Sequence, residues 1–246
     1  MVEILKEHGL ILHGNCVIND FTFERPFVLW GGVSVQNVVG GGFSYINART
    51  SIENASIGRY CAIAHDTKIG LLRHDSAAVM MTTLDAFFKE NSFGSDENAK
   101  IAPTPQENIR PKRTNIAHGV WIGAHAIIPA NKDISIANGA IIAAGAILSK
   151  DAPPYSIMAG NPARVVKMRF SDEIIADLEQ IKWWEYDFLL AASKDRKIAD
   201  FLPLKEPKEF ILWWRNEGCE LMKKYKMSGQ KARIFRENNE VKLQKL

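Results

Sequence analysis

The sequence predicts a mainly β protein whose chain winds into a parallel β-helix and ends in α-helices. A six-residue beat of aliphatic or small residues carries this prediction, and it runs through residues 57–70, 116–128 and 136–148. Six matches neither the helical period of 3.6 residues nor the two-residue alternation of a single strand. It fits a coil of short flat sides, in which each aliphatic residue points inward and stacks on its equivalents in neighbouring coils.

The coil is predicted to span residues 33–155, after an N-terminal segment at residues 1–32. Within that first segment, Leu10–Leu12 and Val17–Ile18 have the character of short strands. Pro153 and Pro154 predict the end of the coil, because proline cannot donate the ladder hydrogen bond that another coil requires.

The beat stops after Gly70 and resumes at Ile116, which predicts an excursion loop over residues 71–115. Loops of this length are uncommon, and those that occur are usually functional or disordered. A second irregularity is the step of eight residues from Ile128 to Ile136, two more than the repeat needs.

Residues 156–246 are predicted to form a C-terminal helical region. Ser171 is a good N-cap, and the apolar stripe after it predicts a helix that ends near Trp183 and Trp184. A further helix is predicted from about Pro207 to Lys226. The basic and polar composition after Ser228 favours partial disorder.

Composition narrows the class of protein. Hydrophobic residues make up 46% and charged residues 24% of the chain, which is typical of a globular protein. The net charge of +3, with no basic face visible in the sequence, does not suggest nucleic-acid binding. We expect no signal peptide, because no charged start is followed by an apolar run, and no membrane span, because no apolar stretch is long enough. Cys16, Cys61 and Cys219 lack metal-type spacing and suit reduced thiols in a cytoplasm.

Three segments together resemble the hexapeptide-repeat acyltransferases: Val120-Trp121-Ile122-Gly123, Met158-Ala-Gly-Asn161-Pro162-Ala163 and Ile181-Lys-Trp-Trp184. The resemblance covers roughly residues 33–190 and is closest to the xenobiotic acetyltransferases, the virginiamycin and chloramphenicol enzymes, and their sugar O-acetyltransferase relatives. It implies a left-handed parallel β-helix of hexapeptide repeats, which is an exception to the usual right-handed crossover. It also implies a homotrimer with acetyl-CoA bound in the clefts between neighbouring subunits.

Acetyl transfer to a hydroxyl needs a base, and a histidine suits this role because its imidazole is largely neutral at physiological pH. The family places its catalytic histidine in the loop that leaves the coil. His74 is the histidine inside the predicted excursion, so the resemblance implies that His74 is the general base. Asp75 beside it is a candidate for orienting the imidazole and contacting substrate.

Further site residues are expected along the coil. Trp121 precedes an inward isoleucine and should point outward, and the resemblance implies that it lies near the thioester. Small residues at one corner would let coenzyme A approach the backbone, and basic residues after it would meet the phosphates. These cofactor-binding candidates are Ala143, Ala144, Gly145, Lys150, Arg164 and Lys167.

His65, His118 and His125 raise an alternative. The γ-class carbonic anhydrases are also hexapeptide β-helices and hold zinc with three histidines across a subunit interface. In this sequence the spacing of the histidines differs and the matching Arg and Asp framework is missing. Polar residues on outward corners are therefore the favoured interpretation, and no metal is predicted.

The sequence thus predicts a cytoplasmic, trimeric, acetyl-CoA-dependent O-acetyltransferase. We expect a saccharide hydroxyl as acceptor rather than an antibiotic, because the excursion is divergent and the C-terminus is longer than the family suggests. Acetylation of an amino sugar and a non-catalytic trimeric scaffold stay open as alternatives.

Overall fold

The chain segments with the six-residue beat fold into three flat faces joined by corners, and together they form a parallel β-solenoid of about six turns. The computed structural model describes residues 2–71, 79, 112–201, 206–237 and 240–246. The predicted parallel β-helix with C-terminal helices is confirmed. Of the predicted excursion, residues 112 and 113 lead directly into a strand that starts at Thr114, so the coil resumes two residues before Ile116.

An N-terminal helix, α1 (Val2–Glu7), precedes the strands. The strands of the coil are β1 (Leu10–His13), β2 (Val17–Glu24), β3 (Phe27–Trp30), β4 (Ser34–Gly40), β5 (Ser44–Ile46), β6 (Ser51–Ile57), β7 (Ala62–Ile63), β8 (Lys68–Leu71), β9 (Thr114–Ile116), β10 (Trp121–Ile122), β11 (Ile127–Pro129), β12 (Ile134–Ile136), β13 (Ile141–Ile142), β14 (Ser156–Gly160) and β15 (Ala163–Met168). The first face consists of β1, β3, β5, β7, β10, β13 and β14. The second face is formed by the first halves of β2, β4 and β6 with β8 and β11. The third face is formed by the second halves of the same three strands with β9 and β12.

The interior is built from columns of stacked side chains. On the first face, parallel registers place one inward residue of each coil directly above the next. This inward column is fully buried and consists of Leu29, Ile46, Ile63, Ile122, Ile142 and Met158. β-Branched side chains suit such a column because they pack well on a pleated surface and have few rotamers to lose.

The corners put non-glycine residues into the left-handed region. The second corner, between the first and second faces, has positive φ angles at Arg49 (58°), Asp66 (58°), His125 (60°) and Gly145 (69°). L-residues visit this conformation at a cost, so the energy of the stacked columns must hold the chain there.

The β-helix begins earlier than the sequence predicts. β1 pairs in parallel with β3 on the first face, so residues 10–30 already form a coil rather than a separate N-terminal segment. Phe21, Phe23 and Phe27 fill the interior of this coil and are fully buried. Aromatic residues replace the aliphatic beat there, which is why the periodicity does not reveal the coil.

The eight-residue step after Ile128 forms a wider third corner, between the second and third faces. Two bonds join this corner to the end of the predicted excursion: the Arg113 N–H donates to the Asp133 carboxylate at 2.8 Å, and the Lys112 N–H donates to the Ala130 carbonyl at 3.4 Å. The wider corner, through Ala130 and Asp133, therefore binds the chain where it rejoins the coil.

The predicted helix after Ser171 is confirmed as α2 (Asp172–Ile181), and the helix predicted from Pro207 corresponds to α5 (Pro207–Trp213) together with the turns that follow it. The other elements of this region are a 3-10 turn (Trp183–Glu185), α3 (Phe188–Lys194), α4 (Arg196–Phe201), α5 (Pro207–Trp213), a π-helical turn (Trp214–Gly218), α6 (Cys219–Met222) and a 3-10 turn (Lys223–Tyr225). None of the described helices is long and apolar enough to cross a membrane.

The region expected to be helical over residues 156–246 also contains strands at both ends. β14 and β15 form an antiparallel hairpin that continues the first face. After Ser228 the chain forms β16 (Lys231–Glu237) and β17 (Glu240–Lys245), so the expectation of partial disorder is wrong for these strands. β16 pairs antiparallel with β2, and its Ala232 and Ile234 are buried. The β16–β17 hairpin thus covers the edge of β2 at the N-terminal end of the coil. An uncovered edge strand could pair with another chain and aggregate.

The C-terminal helices dock on the first corner, between the third and first faces. A Cβ on Gly119, whose φ is 63°, would lie 2.7 Å from the Trp183 ring, so the ring sits directly on the corner backbone. Arg59 forms two 2.6 Å hydrogen bonds with the buried Glu24 carboxylate and donates to the Trp184 carbonyl at 3.3 Å. This contact ties the first coil, the corner and the helical region together.

His118 completes the docking contact. Its ring stacks on Trp184 with centroids 5.1 Å apart and planes 4° from parallel. Its Nδ1 accepts a 2.9 Å hydrogen bond from the Arg59 backbone N–H, which requires an unprotonated nitrogen. Burial, and secondarily the charge of Arg59, lowers the pKa of His118 to about 4.

Two adjacent isoleucines test the role of the inward columns. Ile128 is fully buried, whereas Ile127 on the same strand points to the opposite side of the sheet and is only partly buried. We expect Ile128→Ala to lower the free energy of unfolding by about 2–5 kcal/mol, and Ile127→Ala by about 1 kcal/mol or less. Denaturant unfolding at one fixed protein concentration measures both; equal losses would contradict the assignment of an inward column.

His118 predicts a pH dependence. Because the pKa of His118 is about 4 in the folded state and that of a free imidazole is about 6.5, the unfolded chain binds the extra proton first as pH falls. The associated stability is therefore present above pH 6.5 and is lost as pH falls toward 4. We expect His118→Gln to make the loss of stability between pH 7 and pH 4.5 smaller by about 1–2 kcal/mol, discounted for partial exposure. His13→Gln is the control, because the His13 side chain is exposed. Parallel curves of unfolding free energy against pH for the wild type and His118→Gln would overturn this account.

Candidate active site

Trp121 points outward from the first face, as its position before Ile122 predicts. It pairs in register with Ala62 on one side and Ile141 on the other. Its side chain is 52% exposed, while the neighbouring Ile122 is fully buried. A large aromatic side chain with this much free surface is available to a ligand or to another chain.

Trp121 belongs to an outward column that is apolar along its length. The registers of the first face align six outward residues, which are Val28, Tyr45, Ala62, Trp121, Ile141 and Ile157. The equivalent column of the third face is mainly polar and consists of Thr22, Val39, Ser56, Asn115 and Ser135. Contiguous exposed apolar surface of this kind marks a binding or association surface, and the first face is where it lies.

The second corner has an open backbone at Ala143-Ala144-Gly145. Among the residues that the structure describes, a Cβ added to Gly145 would find no atom within 4 Å beyond its own chain neighbours. On the coil below, a Cβ on Gly123 would lie 2.5 Å from the Ala144 nitrogen. The corner is thus closely stacked on one side and open on the other, which lets a ligand approach the main chain at Gly145.

The predicted basic residues lie at different distances along the coil from that corner. Arg164 stands opposite Ala159 in the β14–β15 hairpin, and the Met158 carbonyl accepts a 2.8 Å hydrogen bond from Ala143 N–H. The structure therefore brings Arg164 next to the second corner. Lys167 stands opposite Ile157 at the other end of the hairpin. Lys150 lies at the third corner, on the far side of the second face from Gly145.

Side chains of the second corner also form a charged group. Arg49 makes two hydrogen bonds to the Asp66 carboxylate, at 2.8 and 2.6 Å, and His65 Nδ1 lies 2.8 Å from the same carboxylate. The hydrogen bond from Arg49, followed by that from His65, holds the pKa of the Asp66 carboxyl well below its usual range. The His125 ring meets the His65 ring edge to face, with centroids 5.5 Å apart.

This group corrects one sequence-based interpretation and adds to another. The carbonic-anhydrase alternative grouped His65, His118 and His125, but His118 lies at the first corner against Trp184, apart from the other two. Sequence reasoning did not connect Arg49 with Asp66. They are 17 residues apart, which is the length of one early coil; adding that length to each corner residue would have aligned them.

His74 and Asp75, the predicted base and its neighbour, lie outside the described residues. The described part of the site therefore consists of the outward Trp121, the open corner at Gly145 and the adjacent Arg164.

Comparison with known proteins gives the family. No protein-family model matches the chain. A probable macrolide acetyltransferase from Lysinibacillus sphaericus is 37% identical over 130 residues, which are 53% of this chain and 68% of the relative. A chloramphenicol acetyltransferase from Agrobacterium fabrum is 30% identical over 181 residues, covering 66% of this chain and 83% of the relative. A galactoside O-acetyltransferase from Escherichia coli is 42% identical over a shorter stretch of 52 residues, 21% of this chain and 25% of the relative. The chain belongs to the hexapeptide-repeat acyltransferases, in the branch of the xenobiotic acetyltransferases, and is an acetyltransferase-type enzyme.

Proposed function

We propose that this protein is an acetyl-CoA-dependent O-acetyltransferase that acts on the hydroxyl group of a small molecule. The observation that carries the proposal is the pairing of an exposed Trp121 on the first face with an open backbone at Gly145 on the adjoining corner, in a chain of this family. An apolar indole and a free main-chain corner suit the two parts of the donor next to the acetyl group, the pantetheine methylenes and its amides.

The donor would run along the second corner. At Ala143-Ala144-Gly145 the small side chains leave room for pantetheine to lie against the main chain and to exchange hydrogen bonds with it. Arg164, exposed and adjacent to this corner, is a suitable partner for the donor phosphates because a guanidinium pairs with them bidentately. Lys167, at the other end of the hairpin, and Lys150, at the third corner, are further candidates for phosphate contacts, although both lie away from the second corner.

The reaction is a direct transfer. His74 would accept the proton of the acceptor hydroxyl while the hydroxyl oxygen attacks the thioester carbonyl carbon. Negative charge then develops on the carbonyl oxygen, where a fixed backbone N–H can stabilise it. The C–S bond breaks, the acetyl group stays on the acceptor oxygen, and the thiolate of coenzyme A leaves and is protonated. Asp75 would orient the His74 imidazole.

For the acceptor, the names of the relatives favour an antibiotic-type hydroxyl over the saccharide that we expected from the sequence. The relatives that align over the larger shares of the chain are named for macrolide and chloramphenicol. The galactoside enzyme aligns over 21% of the chain. We therefore place a hydroxyl-bearing antibiotic first and a saccharide second, and one acceptor screen with both classes separates them.

A homotrimer is part of the proposal. The outward apolar column of the first face, with Tyr45 and Trp121 exposed, would be covered by a neighbouring subunit, and the donor cleft would then lie between two chains. The use of acetyl-CoA as donor is consistent with a cytoplasmic location of the enzyme.

The competing proposal is a catalytically silent trimeric scaffold. A scaffold would tolerate the loss of His74 without any change in activity, since it would have none. Turnover and acetyl-CoA binding by the wild-type protein, followed by the loss of turnover in a His74 variant, therefore decide between the two.

Replacing His74 tests the base. We expect His74→Ala to lower kcat by a factor of about 10²–10⁴, since that is the usual contribution of a general base. Acetyl-CoA should still raise the melting temperature of the variant, because the donor surface at the second corner is unchanged. Steady-state turnover of an accepted antibiotic or saccharide and a thermal-shift assay give the two readings.

His13→Ala is the matched control for this experiment, since His13 is exposed and stacks on Trp30 at the N-terminal end of the coil, several coils from Gly145. Unchanged turnover in His74→Ala would remove His74 from the mechanism. Failure of acetyl-CoA to shift the melting temperature of the wild-type protein would instead argue against the donor and favour the scaffold.

A charge on the first face tests the trimer. Tyr45 is 42% exposed in the single chain and would be buried in the proposed assembly. We expect Tyr45→Lys to lower the mass in solution from about three chains toward one chain of 27.6 kDa, because an unpaired charge is costly in an apolar interface. Light scattering after size exclusion measures the mass. Gln36→Lys, on the exposed second face, should remain trimeric; a trimeric Tyr45→Lys protein would exclude this face as the interface.

A further inference from the structure

We propose that His65, Asp66 and His125 form a binding site for a divalent transition-metal ion, with zinc as the best-matched ion. One ligand atom from each residue lies within 4.8 Å of the others. Two imidazoles and one carboxylate are a ligand set that zinc takes in proteins, with a fourth position left for water. The argument for this site does not rest on the proposed acetyl transfer, although His125 lies one coil from Gly145 at the same corner.

The distances suit a small ion after minor rotations of the side chains. In a tetrahedral zinc site the ligand atoms stand about 2.1 Å from the metal, and hence about 3.4 Å from one another. His65 Nδ1 and the Asp66 carboxylate are 2.8 Å apart, and the two rings meet edge to face at 88°. Small changes in the side-chain torsions of the two rings would bring all three atoms to the required spacing.

The backbone already holds the ligands in place. The His125 N–H donates a 3.2 Å hydrogen bond to the His65 carbonyl, which fixes the two coils in register. Arg49 donates to both carboxylate oxygens of Asp66, through Nε at 2.8 Å and through Nη2 at 2.6 Å. The oxygen next to His65 would exchange its Nη2 bond for the metal, while the Nε bond to the other oxygen stays in place. A partner of this kind, behind the ligand, orients the carboxylate for binding.

The His65 side chain is 46% exposed. This exposure gives an ion an entry path and leaves room for a water ligand. Nitrogen ligands select against magnesium and calcium, which prefer oxygen donors, and favour zinc, nickel or copper. The chemical class of the ion is therefore a borderline transition metal rather than a hard cation.

The position suggests what the ion would do. His65 and Asp66 belong to the coil that precedes the 72–111 segment, and His125 belongs to the coil that follows it. A metal would link the two coils across that long insertion and would stabilise the folded state by binding to it. It would act as a clip between coils.

Zinc titration of the metal-free protein tests the proposal. After removal of any affinity tag and dialysis against a chelator, we expect isothermal titration to give one zinc per chain, with a higher melting temperature in zinc. His65→Asn and His125→Asn should each weaken zinc binding at least tenfold. Asparagine is chosen because it tolerates the positive φ of 60° at position 125, so both variants should fold and melt as the metal-free wild type does.

His13→Asn is the control variant and should bind zinc as the wild type does. Magnesium chloride at the same concentration is the control ion and should give no binding heat. Zinc affinity within twofold of the wild type in either His65→Asn or His125→Asn would overturn the proposal, as would magnesium binding of equal strength or no zinc binding at all.

Discussion

The inward column of the first face is the constraint on which the rest of the structure depends. Each coil contributes one aliphatic side chain that is fully buried, from Leu29 to Met158. Each fully buried side chain of this size contributes about 1.5–3 kcal/mol, so a shift of one residue in any coil would turn an inward side chain out to solvent. The column therefore fixes the register of every strand, and through it the position of every corner.

Fixed corners make side chains that are distant in sequence into neighbours. Arg49 and Asp66 pair because they occupy the same position of successive coils. His125 joins them although the 72–111 segment intervenes, since β10 returns to the register of β7 as if the coil were unbroken. The insertion increases the number of residues between the two coils along the chain, but it does not change the register in which they stack. In this fold, side chains that can act together become neighbours because equivalent corner positions of successive coils stack on one another.

The sequence predicted the parts of the fold that depend on periodicity. The isoleucine beat located the coils on both sides of the insertion, and the outward direction of Trp121 followed from the buried Ile122 beside it. The first coil was missed because Phe21, Phe23 and Phe27 fill it without a six-residue beat. The pairing of β16 with β2 joins residues more than 200 positions apart. No local pattern in either strand predicts which strand it pairs with. The resemblance pointed to His74, which lies outside the described residues, and to Gly145, whose open surroundings only the three-dimensional structure could reveal.

The difference between the first and second corners explains where a ligand can bind. Both corners carry positive-φ residues on successive coils, so their backbones are alike. At the first corner the Trp183 ring rests on Gly119, and the Arg59–Glu24 pair and the His118–Trp184 stack close the surface. At the second corner no atom of the described residues comes within 4 Å of a Cβ built on Gly145. The C-terminal helices thus seal one side of an otherwise repetitive coil, and the main chain stays accessible on the side that carries Trp121, Arg164 and the two histidines.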